Sequence, residues 1–176
     1  MMRDGLLLLL GFSLIMFQSA LGAVVDLGVL MPNPVLPIVL YLAMAPDVSL
    51  GRGAILSFAL GVLFDSATGN AMGLFTFVHE ASFLLARGAG FRLLIRGRLS
   101  QMLTTAATAA MGSIILIALR SIFRKSGQIE ISSPGHTALA VICSALSTGL
   151  LAPVIYQLAR RVDQLRRRED AGATLL

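Results

Sequence analysis

An all-helical integral membrane protein with six transmembrane helices is the fold class this sequence predicts, and three observations predict it. Of 176 residues, 56% are apolar and only 13% charged. The mean hydropathy of +0.85 means more apolar surface than a small soluble core can hide. The apolar residues fall into six runs parted by Gly, Pro and Arg clusters. At about 20 residues per crossing the length allows six short crossings with tight connections. The expected division is a six-helix transmembrane domain over residues 1–158 and a basic cytoplasmic tail over 159–176.

The first run extends from about Gly5 to Val25, broken only by Gln18, and Asp26 and Gly28 then mark a turn. Its SALGA stretch resembles the small-residue end of a signal peptide. Arg3 and Asp4 nevertheless make the leading end nearly neutral, and the apolar run continues to Val25, which favours a retained helix. The second run, MPNPVLPIVLYLAMAP, barely spans. Pro32 and Pro34 suit a helix start, Pro37 its first turn and Pro46 its stop.

The third run, Gly53 to Ala67, and the fourth, Met72 to Ala86, are joined by TGNAMG and form a tight hairpin in which Gly61, Gly69 and Gly73 are the expected hairpin glycines. After RGAGFRLLIRGR a fifth run covers Leu99 to Phe123. A loop with Gly127 and Pro134 leads to the sixth, Thr137 to Leu158, with Pro153 near its end. Leu158, Val162 and Leu165 recur at helical spacing among arginines, so the sixth helix is expected to continue as an amphipathic stalk.

The formal charge of +5 does not mark a nucleic-acid binder, because the arginines sit at the ends of apolar runs without interleaved aromatics. They set orientation instead. With both termini inside, the inner side holds Arg3, Arg52, Arg87, Arg92, Arg96, Arg98, Arg160, Arg161, Arg166, Arg167 and Arg168, whereas the outer side holds Arg120, Arg124 and Lys125. By the positive-inside rule the N and C termini are cytoplasmic. The inner loop at 87–98 and the tail also suit contact with anionic lipid, and a cytoplasmic partner protein is the sharper reading of the tail.

Intramembrane acids are costly and usually face protein or water, so Asp65, His79 and Glu80 in GVLFDSATGNAMGLFTFVHE are the candidate functional residues. Asp65 is expected ~18 Å beyond Gly53, and Glu80 near mid-depth, within reach across the hairpin. Three roles stand for Asp65: bonding to backbone or hydroxyl groups such as Ser66 or Thr68 to fix the turn, pairing with His79 between helices, or direct ion, proton or ligand chemistry. Catalytic and metal sites are not expected. HEASF has Phe83 where the zinc-protease HExxH has its second histidine, only His136 and Cys143 remain as further soft ligands, and no GxSxG is present. The single cysteine excludes an intramolecular disulfide. Pairs of small residues four apart, including Ala106 and Ala110, Thr108 and Gly112, and Ala145 and Gly149, point to close helix packing.

In their order and spacing, PNPVLPIVLYLAMAPDVSLGRG, then GVLFDSATGNAMG, then TGLLAPVIYQLARR, with Pro153 near the inner end, resemble the rod shape-determining membrane protein family MreD over most of the chain. Met31 departs from many members, which place Arg before the Pro-Asn-like start. The resemblance implies a non-enzymatic scaffold and assembly subunit of the cell-elongation complex in the bacterial inner membrane. It would bind the single-pass protein MreC and connect peptidoglycan synthesis, through the RodA/penicillin-binding-protein synthase, to the MreB filament. Asp65 and the hairpin glycines would then leave an apolar surface for the partner's helix, with a homodimer left open. No cofactor is implied. A fold similar to the S-components of energy-coupling-factor transporters is also implied, so a substrate-binding subunit of a vitamin transporter is the alternative. That reading needs an outward polar pocket, with Asp65, Asn70, His79 and Glu80 as its expected lining; the absence of Trp leaves little to stack on a flat ring.

Overall fold

The computed structural model describes residues 2–24, 30–69, 72–90, 97–123 and 134–173, and all regular structure among them is helical. Six helices follow in order: α1 Met2–Val24, α2 Val35–Met44, α3 Leu50–Thr68, α4 Leu74–Gly88, α5 Arg98–Phe123 and α6 Pro134–Ala173. Each apolar run of the sequence becomes one helix. Four of them, α1, α3, α5 and α6, are long and apolar enough to cross a membrane.

The other two are short for physical reasons. Prolines at 32 and 34 keep the chain from entering α2 before Val35, and Pro46 follows its end, which leaves ten residues or ~15 Å of helix. Such a helix cannot bridge the hydrocarbon, yet it need not, because protein rather than lipid surrounds it. Val35, Ile38, Val39, Leu40 and Leu42 are wholly buried, and α2 packs against all five other helices. The core of the molecule is therefore built around its shortest helix, with Leu60 of α3, Phe83 of α4 and Ala152 of α6 closing on it.

Adjacent helices in sequence form the two most extensive pairings, α3 with α4 and α5 with α6. In both, a glycine sets the distance. A Cβ at Gly61 would stand 2.6 Å from the Thr76 Cα, and one at Gly149 would stand 2.9 Å from both the Met102 carbonyl oxygen and the Ala106 Cβ. The α5–α6 contact thus uses members of the small-residue pairs seen in the sequence. Pro153 lies inside α6 and denies the carbonyl of Gly149 its usual intrahelical donor. The helix still continues through Ala173 as one element of 40 residues, so the sixth apolar run extends beyond Leu158 as a helix, as expected of the stalk.

Polar contacts tie one end of the bundle together. Arg52 Nε donates to Asp4 Oδ2 at 2.8 Å, joining the starts of α1 and α3. The Tyr41 hydroxyl makes a short hydrogen bond to Asp163, joining the end of α2 to α6, and the Tyr41 ring meets Tyr156 edge-on at 6.0 Å. Arg87, expected as an orientation signal and as part of a lipid-facing inner loop, is half-buried, and its guanidinium donates to the carbonyls of Ala43 (3.1 Å), Ala45 (3.1 Å) and Val48 (2.6 Å). It caps the C-terminus of α2 and the turn into α3, where carbonyls would otherwise lack donors.

Candidate functional site

At the opposite end, buried polar groups gather around Asp65 and Asn33. Asp65 is 1% exposed on the last turn of α3. Its Oδ2 accepts from the Gly73 N–H (2.9 Å), the Thr76 N–H (3.0 Å) and the Thr76 hydroxyl (2.7 Å), and its Oδ1 accepts from the Phe75 N–H (2.9 Å). These are the free N–H groups at the start of α4, which carry the positive end of that helix dipole. Asp65 therefore caps α4 from the neighbouring helix. Gly69 at φ 64° and Gly73 at φ 98° supply the left-handed backbone that lets the chain reverse within this short turn.

The turn-fixing role read from the sequence gives Asp65 backbone or hydroxyl partners; the structure has such partners, but at Gly73, Phe75 and Thr76 rather than at the suggested Ser66 or Thr68. Both hydroxyls donate back along their own helix, Ser66 to the Val62 carbonyl and Thr68 to the Phe64 carbonyl, each at 2.8 Å. The acid instead reaches forward because the N-terminal turn of α4 offers more donors than a hydroxyl does. For the second reading, a buried Asp65 to His79 contact between helices, the hydrogen-bond partner of His79 is Asn33 instead of Asp65. His79 is 0% exposed, and its Nε2 lies 3.0 Å from Asn33 Nδ2.

Asn33 Oδ1 accepts from the Val35 and Leu36 N–H groups at 3.1 and 3.2 Å, so it is the side-chain cap of α2. His79 Nε2 also lies 3.4 Å from Asn33 Oδ1; with that oxygen already engaged by two backbone N–H groups, the shorter contact fits the amide nitrogen donating to Nε2, the tautomer with the ring proton on Nδ1, which has no hydrogen-bond partner among the described residues. Phe64 stands edge-on to the imidazole at 5.6 Å, with Phe75 at 6.2 Å. The extended segment before α2 is sutured to α6: the Asn33 N–H donates to Thr148 Oγ1 at 2.9 Å, and Ser144 Oγ donates to the Met31 carbonyl at 3.2 Å. Non-helical backbone at membrane depth is tolerated only with such internal partners. Pro32 and Pro34, having no N–H, reduce the number that must be found.

Asn33, Thr76, Ser144 and Thr148 were not singled out from the sequence. An Asn directly before a Pro that opens an apolar run is a capping signature, and it was the available signal for Asn33. The α6 hydroxyls carried none, since their partners lie more than 110 residues away.

Glu80, the neighbour of His79, is not part of this network. Its Oε2 is buried without a hydrogen-bond partner. A cavity of about 810 Å³ opens at this end, and its lining includes Gln18, Asn33, Thr68, Ser113, His136 and Ser144 with Met31, Phe64 and Phe75. Asp65, His79 and Glu80 do not line it, contrary to the pocket expected for a transporter subunit: Asp65 is turned to the start of α4 and His79 to the Asn33 side chain; Asn70 lies outside the described residues. No group of three or more His, Cys, Asp or Glu among the described residues could hold a metal.

Of the arginines expected on the inner face, Arg98, Arg160 and Arg161 are exposed. Arg92 and Arg96 lie outside the described residues, as do the side chains of Arg166, Arg167 and Arg168 on α6. Comparison with known families matches residues 2–162 to the model of the rod shape-determining protein MreD. The chain belongs to the MreD family. That match takes in α1 to α5 entirely and α6 as far as the Tyr41–Asp163 contact, so the capped α3–α4 turn and the sutured start of α2 both lie inside the family region. No curated protein and no solved structure matches the chain. Membership makes this a membrane protein of rod-shape determination.

Proposed function

We propose that this MreD-family chain is a non-enzymatic assembly subunit of the cell-elongation complex in the inner membrane. It holds the single-pass protein MreC and links peptidoglycan synthesis, with the RodA/penicillin-binding-protein synthase, to the MreB filament. The observation that carries this reading is the family match over all six helices. It is supported by the use of the Asp65 carboxylate and the Asn33 amide oxygen, which hold the starts of α4 and α2, the arrangement of a scaffold.

In this reading all six helices form the transmembrane domain, with the short α2 enclosed by its longer neighbours and α4 packed against α2, α3 and α5. Both termini are cytoplasmic, as supported by Arg52, Arg87 and Arg98 at the ends of α3, α4 and α5 that would meet on the inner side, with Arg160 in the latter part of α6. The basic loop and tail contact anionic lipid. Mild-detergent co-purification of the tagged full chain from its native membranes tests the proposal. Near-equal recovery of an MreC-like single-pass protein supports it, and recovery of ATPase subunits with a small coupling membrane protein refutes it.

A further inference from the structure

Glu80 sits ~9 Å from the start of α4 and ~12 Å from its end, too deep for a glutamate to reach either interface. Its carboxyl makes no hydrogen bond or ion pair with any described residue, and its Oε2 is buried. The donors on its own helix are committed: Thr76 to Asp65, Ser82 to the Val78 carbonyl, and Arg87 to the carbonyls around the end of α2. Across the α3 interface, the contacts Gly61–Thr76 and Gly53–Phe83 bracket Ser57 opposite positions 79 and 80, yet the Ser57 hydroxyl also has no partner. An acid at this depth must be covered by a polar group or be turned to hydrocarbon at high cost.

Beside Glu80 on the outward side of α4 lie Phe77 and Leu84, about half exposed. We propose that this face, resting on the assembly-subunit reading, docks a transmembrane helix of another protein that places an N–H donor of Asn, Gln, Arg or Lys against Oε1 of Glu80, Oε2 being enclosed by the chain itself. Phe77 and Leu84 supply the apolar contacts on either side, at the helical spacing of three and four residues. A second copy of the chain fits poorly. A two-fold contact through α4 sets Glu80 against Glu80, and the exposed neighbours Phe77, Leu84 and Leu85 offer no donor.

Site-specific photocrosslinking of the full chain in its native membranes tests this, with the crosslinking residue at Leu84 or, as a control, at Leu146 on the exposed face of α6. The expected result is an adduct to another membrane protein from position 84. Its yield should fall at least tenfold in Glu80→Leu and persist in Glu80→Gln, whose amide still accepts a hydrogen bond. Gel filtration of both variants checks that they remain folded. Equal yield in Glu80→Leu, or an adduct only to a second copy, overturns the inference. An adduct from 146 alone overturns it while the assembly reading stands. Absence of any adduct together with absence of a co-purifying partner overturns both.

Discussion

Asp65 on α3 and Thr76 on α4 are joined twice, through the Thr76 N–H at 3.0 Å and its hydroxyl at 2.7 Å, at the place where Gly61 lets the two helices touch. One carboxylate therefore acts both as helix cap and as interhelical tie. Replacing Asp65 by Ala orphans four donors at once. We expect a loss of about 1–3 kcal/mol, the cost of leaving buried donors unsatisfied, read as a lower Tm of the detergent-solubilised protein. Ser66→Ala, at an exposed hydroxyl that bonds only within its own helix, should leave Tm unchanged. Equal effects of the two substitutions would contradict the capping role.

Gly61→Ala tests the other half of the same joint. The added methyl meets the Thr76 backbone at 2.6 Å, and backbone cannot swing aside as a side chain can. Either α3 and α4 separate or α4 slides, stretching the hydrogen bonds to Asp65. An overpacking cost of about 1–3 kcal/mol is expected. Gly51→Ala on the same helix, with open space around its position, should be neutral or slightly stabilising. Thermal unfolding of the two variants side by side decides the matter.

How much of this was legible beforehand follows from the range of each interaction. The six helices were readable because apolar runs and their Gly and Pro boundaries are local features, and the position of Asp65 behind an apolar run marked it as significant. Backbone or hydroxyl partners are the kind the sequence suggests for it, but they lie eight to eleven residues ahead, in a turn whose geometry the sequence does not spell out, rather than at the nearby Ser66 and Thr68. The suture between Asn33 and Thr148 spans 115 residues and leaves no periodic trace. Arg87 was misjudged for a different reason. Charge counting gives every arginine the same meaning, whereas its planar fork serves three particular carbonyls.

Arg87→Gln should accordingly leave membrane orientation intact while loosening the turn after α2. Ten inner-side basic residues remain to orient the chain, but the carbonyls of Ala43, Ala45 and Val48 lose a charged donor. Hydrogen bonds to charged groups contribute about 1.5–3 kcal/mol. Faster amide exchange at Ala45 and Val48 is the expected readout, with Arg87→Lys intermediate because an ammonium cannot reproduce the fork. Unchanged exchange in Arg87→Gln would return Arg87 to a purely topological role.

The Asn33–His79 pair makes a prediction about a proton rather than about stability. Asn33 Oδ1 is held by two backbone N–H groups, so Nδ2 donates and His79 Nε2 accepts, which places the ring hydrogen on Nδ1. Asn33→Asp keeps an oxygen for the Val35 and Leu36 N–H groups but replaces the donor by a second acceptor. The imidazole must then offer Nε2–H to the carboxylate, and its tautomer reverses. Nitrogen NMR of ring-labelled histidine should report Nδ1–H in the unaltered protein and Nε2–H in Asn33→Asp. Asn33→Ala should instead lose the cap, at about 1 kcal/mol, without imposing either tautomer. If the unaltered protein already carries Nε2–H, the ring donates to Asn33 Oδ1, 3.4 Å away, and the donor role assigned to Nδ2 is overturned.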